Sequence, residues 1–162
     1  MNRVTGVLFR KYRTAGDWAQ ADRAVLEEEI LSTGFYRNKA KAIQACTQAL
    51  VDRFGGRVPG KLEELLTLPG VGRKTANILR GNAFGQPAIG VDTHVGRLAR
   101  HLGLTKKKDP DKVEADLAQV VAIGSQVVFC QLVQLHGRAT CAARKPKCEA
   151  CVIEKFCPKV DV

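Results

Sequence analysis

Pro69-Gly70-Val71-Gly72 interrupts an otherwise helical sequence and sets the first limit on what this chain can become. A short apolar pattern from Lys61 to Leu66 precedes it and a longer one from Arg73 to Phe84 follows, so residues 61–84 read as helix, tight hairpin, helix. Pro69 stiffens the turn, while Gly70 and Gly72 allow another backbone to approach closely. The second helix would present unpaired N–H groups and the positive end of its dipole at the hairpin, which suits an anion such as a phosphate. Gly70, Val71, Gly72 and Arg73 are therefore candidate contacts to a nucleic-acid backbone, with Val71 turned into the core. Such a hairpin reads no base sequence. A proline and two glycines by themselves also fit an ordinary turn between helices.

Elsewhere apolar residues recur at helical spacing and no segment alternates as a half-buried strand does, which predicts an all-α fold. The first helix is expected over Asn2 to Tyr12, with Val4, Val7, Leu8 and Tyr12 on one face. Others follow at Asp22–Leu31 and at Asn38–Phe54, the latter closed by Gly55 and Gly56. Asp92 stands where an N-cap belongs for a helix through Val95, Leu98, Ala99 and Leu102. Asp109-Pro110 opens the next, to about Val121. Ser125 is positioned to cap a last long helix through Val128, Leu132 and Leu135. Two regions are expected: 1–103, holding the hairpin and Asp92, and 104–162, holding the C-terminal helices and a cysteine loop.

Composition narrows the partners. Lys and Arg number 26 against 16 Asp and Glu, a formal charge of +10, which favours a polyanion. No apolar run approaches a membrane span and the N-terminus lacks the apolar core of a signal peptide, so a cytoplasmic chain without a membrane partner is expected. Six cysteines in a reducing compartment argue against a disulfide framework.

Four of them fall in the tail as Cys141-x6-Cys148-x2-Cys151-x5-Cys157. A segment this short has no core of its own, and converging thiolates on a metal would supply one. Zinc and an iron-sulfur cluster both accept four thiolates at such spacing. Between the first two cysteines lie Arg144, Lys145 and Lys147, cations on a loop that ligation would anchor, and so candidate phosphate contacts. Cys46 and Cys130 lie outside the pattern and read as packed side chains.

Two further residues carry possible chemistry. Lys74 falls in the first turn after the hairpin, where the dipole and Arg73 both disfavour a charged ammonium, and a neutral amine is a nucleophile. The same position suits a phosphate contact or a solvated side chain. Asp92 follows the Gly85–Val91 loop; its carboxylate can cap the helix it opens and still stabilise positive charge or accept a proton. His94, His136 and Trp18 read as packing residues.

Leu68-Pro69-Gly70-Val71-Gly72-Arg73-Lys74-Thr75-Ala76, the loop ending in Asp92, and the tail with its preceding His136-Gly137-Arg138 together resemble the endonuclease III family, the helix-hairpin-helix, glycine/proline-rich-loop and aspartate superfamily of DNA glycosylases. The resemblance spans essentially the whole chain. It implies a helix-hairpin-helix glycosylase fold with a 4Fe-4S cluster on Cys141, Cys148, Cys151 and Cys157. It implies a monomeric enzyme acting on double-stranded DNA that holds oxidised pyrimidines or abasic sites. Lys74 would attack the sugar carbon bearing the damaged base, Asp92 would assist, and β-elimination from the resulting imine would cut the strand. Adenine glycosylases of the superfamily share the cluster but lack the lysine, and 8-oxoguanine glycosylases usually have the lysine without the cluster. Asn2-Arg3-Val4-Thr5 and Leu8-Phe9 resemble the helix that normally follows a Leu-Ser-x-Gln-x-Thr-Asp segment, which this sequence does not contain. That implies either an internal start at Met1 or a short form, and it keeps a second class in view: a noncatalytic DNA-binding iron-sulfur module.

Overall fold

The computed structural model describes the backbone of residues 2–162 and the side chains of residues 4–162; Met1, on which the expectation of an internal start rests, lies outside them. Among the described residues the fold is all-helical, as expected, with no strand. Nor, among those residues, is any helix long and apolar enough to cross a membrane. The contacts gather into two units, residues 1–72 and 73–162. The division falls at the hairpin and not after Gly103, because the helix opened by Asp92 packs on the helices that follow it.

The first unit comprises α1 (Asn2–Lys11), α2 (Ala15–Ala19), α3 (Arg23–Glu29), α4 (Tyr36–Phe54) and α5 (Leu62–Leu66). Leu8, Tyr12, Leu26, Ile30 and Ala40 form its core, with Val4 and Trp18 packed against them. Val7, expected on the inner face of α1, is exposed, since the buried stripe runs through Leu8 and Tyr12. Trp18 packs on Tyr12 with the rings 4.7 Å apart and tilted by 36°, and meets Phe9 edge-on at 5.9 Å, so it is a core anchor. It sits in α2, a helix too short for its periodicity to show in sequence. Thr14 and Asp17 hold its first turn in a reciprocal capping box. Asp22 caps α3, accepting from the Val25 N–H at 3.0 Å. Gly55 and Gly56, at φ 59° and 75°, close α4 as expected. An apolar groove of about 470 Å³ runs between α1, α4 and the hairpin, lined by Leu8, Phe9, Trp18, Ile43 and Val71 among others.

The second unit comprises α6 (Arg73–Phe84), α7 (Thr93–His101), α8 (Pro110–Val120) and α9 (Gln126–Ala139), followed by a tail whose regular structure is two single 3-10 turns at Cys148–Ala150 and Glu154–Phe156. Its core is Ile89, Val91, Val95, Leu98, Ala99, Val113, Leu117 and Val133. Asp109 caps α8 and Pro110 occupies its first turn. Ser125 makes no side-chain cap. A 3-10 turn over Ile123–Ser125 feeds α9, leaving Ser125 helical at φ −105° and ψ −6° and not in the extended conformation a capping residue needs. The face of α9 also differs from expectation: Val128, Leu132 and Leu135 are 54–61% exposed, and Gln126, Val133 and Gly137 are buried instead. α7 crosses α9 at Gly137, where an added Cβ would lie 3.1 Å from His94. That crossing decides which stripe turns inward.

Candidate active site

Lys74 lies in the first turn of α6, exposed. The loop from Gly85 to Val91 returns along the same helix and is fastened to it at three places. Gln86 donates its backbone N–H to the Arg80 carbonyl at 3.0 Å, and Arg80 Nε donates to the Gln86 side chain, also at 3.0 Å. Asn77, 2% exposed, donates its amide to the Ile89 carbonyl at 2.9 Å. Gly90 then passes so close to α6 that a Cβ there would lie 3.0 Å from Ile78 Cγ1 and 3.6 Å from the Lys74 carbonyl oxygen. The loop therefore delivers the residue that follows it, Asp92, from alongside the turn that carries Lys74.

Asp92 is half-buried and caps α7: its Oδ1 accepts from the Val95 N–H at 2.8 Å, as the sequence predicts. Its Oδ2 accepts from the Gln134 side-chain amide on α9, a contact no sequence signal marks. Burial works to raise the proton affinity of Asp92. The hydrogen bonds from Val95 and Gln134, together with His94, outweigh it and hold the carboxyl below its ordinary value. His94 is itself half-buried, 3.3 Å from an Arg97 nitrogen and against Gly137, which fits packing.

The remaining candidates fall in three places. Gly70, at φ 76°, takes the left-handed conformation a tight turn requires, and an added Cβ would lie 3.0 Å from Ala42. Val71 is half-buried beside it and Gly72 is exposed. Arg73, expected to face a phosphate, instead forms a two-pronged pair with Glu114 of α8, at 2.8 and 3.0 Å. Its fork is filled by a carboxylate 41 residues along the chain, which a local sequence pattern does not reveal. Arg144, Lys145 and Lys147 are exposed, and Lys145 sits at φ 54°.

All four tail cysteines line one cavity of about 30 Å³, closed by Leu98, Leu102, Pro146 and Ile153. Backbone turns shape the loop: the Cys141 N–H donates to His136 O, and the Lys147 N–H to Thr140 O. His136 Nε2 lies 3.4 Å from Cys151 Sγ and His101 Nδ1 3.4 Å from Cys141 Sγ. Arg97 Nη2 donates to the carbonyls of Gly137 and Cys141, joining α7 to the loop. Burial, with the three neighbouring cysteines, pushes the Cys141 thiol up. Among the described residues no three ligating side chains converge on the position of a single ion, while the four cysteines share the lining of one cavity. Cys130 packs against the second unit's core, and burial raises the Cys46 and Cys130 thiols, in keeping with packed side chains.

The model of the HhH-GPD superfamily of base excision DNA repair proteins matches residues 1–122. The chain belongs to that superfamily. It is 50% identical over 159 residues to endonuclease III of Synechocystis sp., covering 98% of this chain and 73% of the relative. Against endonuclease III of Bacillus subtilis it is 42% identical over 158 residues, 97% of this chain and 72% of that one. Its fold superposes on an endonuclease III in a non-covalent DNA complex with a TM-score of 0.92 at 40% identity, over 98% of this chain and 74% of that chain. An endonuclease III trapped as a covalent DNA intermediate gives the same TM-score and identity. This HhH-GPD member is a base excision repair DNA glycosylase with abasic-site lyase activity, as the resemblance implies, and the reading as a noncatalytic module is not favoured.

Proposed function

We propose that the chain binds double-stranded DNA, excises oxidised pyrimidines, and cleaves the strand at the resulting abasic site through an imine on Lys74, with Asp92 assisting. The observation that carries this reading is the packing of Gly90 against the Lys74 carbonyl, which sets the aspartate loop beside the nucleophile's turn. A stacked base is out of reach of either residue, so the damaged nucleotide has to leave the helix, which a lesion's weak pairing assists. The amine of Lys74 then forms a bond to the sugar C1′ as the bond to the base breaks, and the base leaves with the bonding pair and takes up a proton. The Asp92 carboxylate stabilises the positive charge developing on the sugar and accepts a proton from the attacking amine. Opening of the sugar ring gives the imine. Loss of a C2′ proton then expels the 3′ phosphate.

Gly70, Val71 and Gly72 would hold the phosphate backbone, and Arg144, Lys145 and Lys147 would add charge from the cysteine loop. Arg73 is left out of that set because Glu114 already occupies it. Cys141, Cys148, Cys151 and Cys157 would hold a 4Fe-4S cluster, supported by an all-sulfur donor set around a shared cavity. A lone zinc ion would need the sulfurs drawn to within about 2.3 Å of one point. When bound, the cluster supplies four metal-thiolate bonds that cross-link a tail with little core. We read the enzyme as a cytoplasmic monomer.

Borohydride trapping on a duplex with one abasic site tests this. The protein is expected to become covalently fixed to the DNA, and Lys74→Ala is expected to abolish that. A folded, iron-loaded protein that is never trapped sinks the lysine mechanism. Iron and acid-labile sulfide assays test the cluster, and zinc alone in the purified protein rules it out.

A further inference from the structure

The Asp92 carboxylate is held from two sides by different elements. Val95, in the first turn of α7, donates to Oδ1, and Gln134, on α9, donates to Oδ2. The cap needs only the first bond. Gln134 lies partly exposed on the wall of a pocket of about 120 Å³ that it shares with Asn77, Asn82, Gly90 and Gln131, next to the aspartate loop. Two donors on two packed helices fix the plane of a carboxylate as well as its position, which one donor leaves free to rotate. Each carboxylate oxygen has two lone pairs, so one bond to each leaves acceptor capacity for the reaction.

We propose that Gln134 is a positioning residue for the excision step, fixing the Asp92 carboxylate in the one orientation that its two anchors share. This rests on the reading of Asp92 as the carboxylate that assists excision. A hydrogen bond to an ionised oxygen is stronger than one to its protonated form, so the same contact keeps Asp92 anionic as pH falls. The titratable group acting on Asp92 is His94 on its own helix, and Asp92 in turn raises the Cys130 thiol on α9. From α6, the side chains lining the adjoining pocket, Asn77, Ile78 and Asn82, are uncharged.

The test is single-turnover excision of an oxidised pyrimidine across a pH series for the full chain, Gln134→Leu, Gln134→Glu and Asp92→Asn, with thermal melts and iron content as checks on folding. Gln134→Leu is expected to lose roughly tenfold in rate at neutral pH. Its acid limb should move toward neutrality, because Asp92 then takes up its proton at higher pH. Gln134→Glu, of the same shape but with a negative charge facing Asp92, should move the limb further in the same direction. Adding Gln134→Leu to Asp92→Asn should cost nothing more. If Asp92→Asn is inactive while both folded Gln134 variants keep the parent rate and acid limb, the Gln134 proposal falls alone. If Asp92→Asn excises at the parent rate, the reading of Asp92 falls, and this proposal with it.

Discussion

At Asp92 one carboxylate oxygen serves the helix and the other faces Gln134, so two substitutions there part company. Asp92→Ala removes the cap and the charge and should cost about 1 kcal/mol of stability; Asp92→Asn keeps a capping oxygen and should melt close to the parent while losing excision. The pH dependence has a definite sign. The folded carboxyl lies below its ordinary value, so its contribution is complete above the unfolded value of 3.8 and is lost as pH falls through the folded one. Melts of parent and Asp92→Ala should therefore draw together below about pH 4. The cap at Asp92 and the gathering of the four tail cysteines about one cavity were legible in the sequence because each signal is local: a loop ending on a cap, a spacing. Gln134 and Glu114 were not. Their partners lie 42 and 41 residues away, and a polar side chain in a helical pattern reads as a solvent-facing one.

Among the elements, the loop from Gly85 to Val91 matters most because at Gly90 it meets α6 with no side chain of its own to hold the two apart. Gly90→Ala would require Ile78 to yield by a few tenths of an ångström or the loop to lift away. Excision is expected to fall by roughly tenfold from misplacement of Asp92, with the fold retained, as single-turnover rates beside a melt would show. α9 offers a complementary test. Leu132→Lys, on its 61% exposed stripe, should change stability by less than about 0.5 kcal/mol, whereas Val133→Ala, 8% exposed, should cost about 2 kcal/mol; urea titration checks both. Helix starts and stops were legible wherever a capping aspartate or a closing glycine marked them, as at Asp22, Gly55, Asp92 and Asp109. The inward face of α9 was not, since apolar residues occupy nearly all sides of it, and its orientation is set by the crossing with α7 at Gly137.

For the molecule as a whole, a charge of +10 predicts DNA affinity that falls steeply with salt. Lys145→Asn, chosen because asparagine tolerates the left-handed backbone at φ 54°, should lower the slope of log affinity against log salt by about one without changing lesion preference. Binding titrations at several salt concentrations would show it, and an unchanged slope would remove Lys145 from the phosphate contacts. The end of α7 also has a bearing on how the protein comes into being. His101 is touched by Cys141, by Cys157 and by the backbone of Val160, all encoded well downstream of it. At a translation speed of about 5–20 residues per second, the ribosome releases Asp92 seconds before the groups that brace its helix. A nascent chain thus carries Asp92 on an unbraced helix, and a message cut short of the cysteine loop yields a polypeptide that holds Lys74 and Asp92 without the finished fold around them.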